Sequence, residues 1–338
     1  MGCPDRVRDL RRHGSDELRV GRDRHLQLSF TDRGSREPHM RVVILGSAAG
    51  GGLPQWNCRC PICSLARSEP DRVRPRTQSS IAVSADGSDW LLINASPDIR
   101  QQLFDNAQMH PREGLRHSPI KAVLLTNGDV DHVAGLLTLR EGQPYTLYGT
   151  RGILESVNAN RVFDVMAEGV VARQPIGMDQ RFEPLPGLSV TLFPVPGKVP
   201  LWLEDETLEI GAETETTVGA LIEAGGRRLA YIPGCARVTD GLRARIAGVD
   251  ALLFDGTVLH DDDMIRAGVG TKTGWRMGHV PMRGENGSIE ALGAVEIGRR
   301  IFVHINNTNP VLVEGSPERA DVEAAGWTVA HDGLSLSL

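Results

Sequence analysis

The chain is predicted to be an α/β (α+β) protein, a four-layer αββα sandwich in which two mixed sheets are flanked by helices. Three observations predict this. Short apolar strands fill both halves of residues 40–338 and are interleaved with helical segments in each half. Turn signals near residues 85 and 224 close hairpins, which a simple parallel doubly wound sheet lacks. Several polar residues lie just past the ends of apolar strands, where layered α/β proteins collect ligands. A length of 338 residues with 40% apolar and 24% charged residues suits a chain with a sizeable core.

Residues 1–39 read differently. They are rich in Arg and Asp and lack both apolar periodicity and the apolar stretch of a signal peptide. A disordered or non-native N-terminal extension is expected, with no role for Cys3 or His13. Their acidic content argues against a mitochondrial-type presequence. Met40 opens a clean strand and could be the true start, so the folded domain is placed at 40–338.

From Met40 an apolar strand runs into the glycine-rich stretch ending at Pro54. A phosphate-cradling loop would need a helix directly after the glycines, but Pro54, Asn57 and Pro61 follow. Small residues that let the backbone pass close to a neighbour explain the stretch better. Cys58, Cys60 and Cys63 come next, with C-x-C-x2-C spacing. Three thiolates so close can reach one tetrahedral zinc ion, which then needs a fourth ligand from elsewhere.

Ser80–Ser84 and Trp90–Asn94 form a hairpin about Asp86-Gly87. Ser96 as N-cap and Pro97 at the first position then predict a helix. Asp98 sits at that junction, where it could serve a helix dipole or a metal. The stretch from Ala122 is strand to Leu125, a turn with Asp129, Asp131 and His132, then helix from Val133 to Leu139. Residues 143–157 read as strand, glycine turn and helix. Short strands follow between 180 and 232. Residues 241–257 give a helix and a buried strand ending at Asp255-Gly256-Thr257. Residues 278–310 give a loop with His279, a helix, and a strand from Arg300 to His304. A helix from Ser316 to Ala325 and a final hairpin from Trp327 complete the chain.

Composition narrows the function. A net charge of −6 disfavours nucleic-acid partners, and no apolar run of about 18 residues suggests a membrane span. The odd count of five cysteines, three of them within six positions, suits metal thiolates in a reduced, cytoplasmic compartment. Asp98, Asp129, Asp131, His132, Asp255, His279 and His304 all fall near predicted strand ends. Each alone would be an ordinary structural residue; together they point to a metal.

The stretch from Thr126 to Leu136 resembles the metallo-β-lactamase superfamily signature T-H-x-H-x-D-H-x-x-G. Asp131, His132, Gly135 and Leu136 match it, while Asn127 and Asp129 stand where its first two histidines would be. "LGSAAGGGLPQWNCRCPICSLAR", "RTQSSIAVS", "NASPDIR", "GVGTKTGWRMGH" and "HINNTNP" are similar to the pyrroloquinoline quinone (PQQ) biosynthesis protein B family, a likeness that covers nearly all of 40–338. A related phosphodiesterase branch holds structural zinc with such cysteines and a distant His.

The resemblance implies a metallo-β-lactamase-like fold and a role in PQQ biosynthesis. It implies an iron-dependent hydroxylase, using O2 on the tyrosine ring of a Glu-Tyr unit from a precursor peptide. An older view of the family is a carrier of PQQ or its precursor to the periplasm. A dinuclear zinc hydrolase is disfavoured by the two missing histidines and by Cys235, which stands where the superfamily often has a bridging Asp. Partners implied are the small peptide substrate, PQQ or its intermediates, other proteins of the pathway and a second copy of the chain.

Asp129, Asp131, His132 and His279 are expected to hold Fe(II), with Asp255 as a ligand or as the carboxylate that orients a histidine. His304 could join them or complete the zinc site with Cys58, Cys60 and Cys63; the missing fourth ligand favours zinc. His260 and His331 are further candidates. Arg76, Arg100 and Arg140 could clamp substrate carboxylates, though each could equally make a surface ion pair. Asp98 is grouped with them at the rim. Asn306, Asn307 and Asn309 could bond a polar substrate or shape a turn.

Overall fold

The computed structural model describes residues 40–204 and 209–338. The N-terminal extension expected at 1–39, with Cys3 and His13, lies outside the described residues.

The first half supplies strands β1 (Arg41–Gly46), β2 (Ser80–Ser84), β3 (Trp90–Ile93), β4 (Ile120–Leu124), β5 (Tyr145–Gly149) and β6 (Val171–Pro175). The second supplies β7 (Arg181–Leu185), β8 (Leu188–Gly197), β9 (Ala212–Ala224), β10 (Arg227–Ile232), β11 (Val249–Asp255), β12 (Ile297–Val303) and β13 (Trp327–Val329), and β14 (Ser335–Ser337) ends the chain. One sheet has the order β14-β1-β2-β3-β4-β5-β6 and the other β13-β12-β11-β10-β9-β8-β7. Each mixes antiparallel hairpins with a parallel half, β3 to β6 in one and β10 to β13 in the other. The expected two-sheet α/β architecture is therefore present.

Alternation along the strands builds two cores. Leu229, Tyr231, Ala251, Leu253, Ile301 and Val303 face the first sheet and join the core between the sheets. Their neighbours Ala230, Ile232, Leu252, Phe254 and Phe302 face the opposite way, under the outer helices and beside Cys58, Cys60 and Cys63. Both faces being apolar explains why these strands read as unbroken hydrophobic runs. Phe302 stacks on Trp327 at 4.0 Å between ring centres, fixing β13 against the outer face.

Several local expectations shift. The helix after β3 spans Ile99–Asp105 with Asp98 as its N-cap residue, and Ser96 instead accepts from the Asp98 N–H in a preceding turn. The helix expected at Val133 is one turn, Val130–Val133, followed by a 3-10 segment, Ala134–Arg140. Gly135 is pressed there against the 95–96 backbone: its N–H donates to the Ala95 carbonyl at 2.8 Å, and a Cβ would lie 2.1 Å from the Ser96 carbonyl oxygen. Only glycine permits that approach. The final segment is not a hairpin. β13 pairs with β12 in one sheet and β14 with β1 in the other. Asp332, between them, accepts from Ser47 and Thr77 and latches this crossing to the first sheet.

The glycine-rich stretch after β1 runs between the sheets rather than into a helix. Ala48 bridges both Gln78 and Ile305, and the Ala49 N–H donates to the Ile305 carbonyl. Close backbone passage is its role, and it brings Ala49 and Gly50 to the cavity described next.

Candidate metal centre

β4 of one sheet and the paired parallel strands β11 and β12 of the other lead into turns that carry Asp129 to His132, Asp255 to Thr257, and His304. These residues, or their immediate neighbours, line the floor of an open cavity of about 560 Å³.

Three imidazoles converge there. His132 is buried, and its Nδ1 lies 2.6 Å from the Asn127 side-chain oxygen. That oxygen also accepts the Asp129 N–H, so it cannot be the amide nitrogen, and His132 must carry its hydrogen on Nδ1. His132 Nε2 is left buried with no hydrogen-bond partner among the described residues. The His279 Nδ1 lies 2.7 Å from Asp255 Oδ2, an acceptor, which fixes the same tautomer. The Thr257 hydroxyl donates to Asp255 Oδ1 at 2.7 Å and so accepts from His304 Nδ1 at 2.9 Å. His132 and His279 thus keep Nε2 for another partner, while His304 turns Nε2 to Asp131. This is the arrangement by which outer hydrogen bonds orient metal-binding histidines.

Asp131 completes the cluster, its Oδ2 3.2 Å from His304 Nε2 and 3.7 Å from His132 Nε2. Ligand atoms of Asp131, His132 and His304 lie within 4.8 Å of one another, as do those of Asp255, His279 and His304. The Asp255 oxygens are already engaged by the Cys235 N–H, the Thr257 N–H and hydroxyl, and His279. Asp255 therefore orients rather than offers a free lone pair. Asp129 lines the same cavity but joins neither cluster.

Electrostatics match this division. Burial lowers the His132 pKa to about 4 despite the opposing charge of Asp131, so its ring stays neutral. Burial also pulls His304 down, but its hydrogen bond to Asp131 outweighs this and the net shift is upward. Burial raises Asp131, yet His132 and His304 more than offset it and hold the carboxylate well below its usual range. His304 adopts φ 56°, the left-handed region, uncommon outside glycine.

The cysteines form a second cluster. Cys60 is the N-cap of the helix Pro61–Ser68 and accepts the Cys63 N–H. Asn307 covers the three sulfurs, its side-chain nitrogen 3.4 Å from Cys58, 3.9 Å from Cys60 and 3.2 Å from Cys63. Burial pushes the Cys60 thiol up to about 12. Burial acts the same way on Cys58, but the Cys60 N–H and neighbouring groups outweigh it and lower the net value. The expectation that His304 completes this set is corrected. The left-handed turn points its ring at Asp131 and His279, and Asn307, three residues on, reaches the sulfurs. Cys235 turns its sulfur to the Arg237 carbonyl, and burial keeps it a protonated thiol.

The expected arginine clamps are elsewhere. Arg76 is buried, donates to the Ala330 and Arg74 carbonyls, and is lowered to about 10 by burial. Arg100 lines a separate surface depression with Phe104 and Met109. Arg140 is exposed and donates to the Leu137 carbonyl. Asp98 accepts the backbone and side-chain N–H groups of Gln78. Asn306 and Asn307 do line the cavity, whereas Asn309 holds the turn through the Gly256 carbonyl. His260 lines another depression, and His331 contacts the Asp332 carbonyl. Sequence reasoning passed over Arg59, Lys198 and Lys272, which line the cavity, and the orienting roles of Asn127 and Thr257. Thr257 follows a strand-end Asp-Gly, the one signal that could have marked it.

A family model described as a beta-lactamase superfamily domain matches residues 89–305. The coenzyme PQQ synthesis protein B of Methylobacterium radiotolerans is 97% identical over 299 residues, covering 88% of this chain and 100% of that protein. The crystal structure of Zn(2+)-bound PqqB from Methylobacterium extorquens superposes with a TM-score of 0.87 at 79% identity, over 88% of this chain and 100% of that one. A diphosphatase of the PhnP family, at 22% identity and a TM-score of 0.63 over 89% of this chain and 97% of that one, shares the fold. On the match of superfamily domain, sequence and structure, the chain belongs to the coenzyme PQQ synthesis protein B family, within the metallo-β-lactamase superfamily.

Proposed function

We propose that this chain acts in PQQ biosynthesis as an iron- and O2-dependent hydroxylase of the tyrosine ring in a Glu-Tyr unit. One observation carries the reading: three imidazoles, each with Nδ1 engaged, line an open cavity, and two of them, His132 and His304, meet Asp131 there. Imidazole and carboxylate donors with open positions suit a single Fe(II). Bound iron would supply the activation of O2. The chain's own work is positional. Asn127, Asp255 and Thr257 hold the rings, burial keeps His132 neutral, and the cavity admits a phenol from its mouth. The name of the 97% identical relative supports the pathway.

Zinc is assigned to Cys58, Cys60 and Cys63, with the Asn307 side-chain oxygen as fourth ligand once the amide is turned. Such thiolates are zinc donors at about 2.3 Å, and a zinc-bound relative supports metal loading in the family. A second metal beside the imidazoles is disfavoured by Asn127, which is spent on His132, and by the averted Cys235 sulfur.

The test is O2 uptake by anaerobically iron-reconstituted protein given Glu-Tyr dipeptide and ascorbate. One oxygen atom enters the ring, the other leaves as water, and the reductant supplies two electrons. Substrate-dependent uptake with a product heavier by one oxygen is expected. Binding of PQQ without uptake would instead favour a carrier, and two zinc ions with ester cleavage a hydrolase. Asp255→Asn is expected to weaken iron binding about 10–100-fold by freeing His279 to rotate. Metal titration checks this, and unchanged affinity would remove Asp255 from the orienting set.

A further inference from the structure

The cavity wall is sorted by charge. Its acidic lining residues, Asp129 and Asp131, both sit at the floor. Its cations, Arg59, Lys198 and Lys272, come from three other segments. Lys198 is largely neutralised: its Nζ lies 2.9 Å from Glu204, a carboxylate it shares with Arg276. Arg59 and Lys272 are exposed and have no ion pair or side-chain hydrogen bond among the described residues. Met264, Val269 and Met277 add apolar surface to the same lining.

A binding wall of this kind takes a flat apolar group with anionic ends. Two uncommitted cations that share one cavity with methionines and a donor cluster leave phenol and carboxylates as complementary parts of one ligand. Resting on the hydroxylase reading, we propose that Arg59 and Lys272 are the carboxylate receptors of this cavity, and that its ligand is an aromatic molecule bearing at least two carboxylates. They replace the arginines that sequence alone suggested. Arg59 presents a planar fork suited to bidentate contact, and Lys272 a point charge.

The test uses the full chain loaded with zinc alone, a redox-inert stand-in that prevents turnover. Calorimetry measures binding of Glu-Tyr, its C-terminal amide, and Gln-Tyr. Removing either carboxylate from the ligand should weaken wild-type binding. Arg59→Ala and Lys272→Ala should each raise the Kd for Glu-Tyr about tenfold, as expected for a lost charged hydrogen bond. Each variant should also become indifferent to one of the two ligand changes. Both side chains are exposed, so the fold should be unaffected, which circular dichroism checks. Wild-type affinity in both variants, or equal wild-type affinity for acid and amide forms, would overturn the assignment. O2 uptake by iron-loaded protein separates the two proposals. Binding that follows the expected pattern without uptake keeps the receptors and removes the hydroxylase. Uptake with KM unchanged in both variants keeps the hydroxylase and removes the receptors. No binding of any probe by the wild type overturns the receptors.

Discussion

His132→Ala is expected to abolish iron binding at the imidazole cluster and, with it, substrate-dependent O2 uptake. The loss should be at least about 100-fold, beyond the ~10–100-fold expected for a residue that only orients a ligand. The argument rests on an orphaned atom. His132 Nε2 is buried and has no hydrogen-bond partner among the described residues, a state that costs about 1–3 kcal/mol unless something occupies it. Asn127 forbids the alternative tautomer, so that nitrogen can only accept or bind a metal. Removing the ring leaves a cavity but also removes the orphan, and the two effects oppose each other. The iron-free variant should therefore melt within a few degrees of the iron-free wild type. Metal analysis, oxygen electrode traces and thermal scans on the same preparations check this. Full O2 uptake in a variant lacking iron would sink the hydroxylase reading.

Cys63→Ser is expected to release zinc and lower the melting temperature by about 10 °C or more, a loss of several kcal/mol in a domain of this size. Cys63 is fully buried, and its sulfur is the nearest of the three to the Asn307 side chain. The loop that loses its clamp also carries Gln55, Asn57 and Arg59 into the cavity wall. Ligand binding should weaken along with stability, and proteolysis should find a new site near Arg59. His304→Ala is the control, expected to lose iron and keep zinc. Zinc lost from that variant but retained in Cys63→Ser would restore His304 to the cysteines.

What was legible in the sequence is what chain periodicity encodes. Apolar runs marked β4, β11 and β12, and the polar residues after them gathered because β11 and β12 run parallel in one sheet and the turn after β4 of the other sheet meets theirs at the same cavity. The direction of a side chain within a tight turn was not legible. His304 and Asn307 are three residues apart, and only the positive φ at His304 decides which faces the cysteines. Nor could long cationic side chains be placed. Arg76 follows a glycine-rich loop that does reach the cavity, yet it points the other way, into the crossing near Ala330. Lys272 lies in a polar stretch that offers no periodic signal. β6 escaped because Val171 alone among its residues is buried. The last two strands imitated a hairpin because their turn chemistry is that of one.

That last crossing bears on how the protein is made. β1 is the first described strand to be made, and its outer edge stays open until β14, the last described strand, follows. The latch at Asp332 and the carbonyl that takes Arg76 arrive in the same final stretch. The first sheet therefore waits, while every other described strand is made, with an open strand edge, the kind of edge that recruits wrong partners. A chain cut after Ala325 would spare every residue of the metal cluster and still lose the strand that covers that edge.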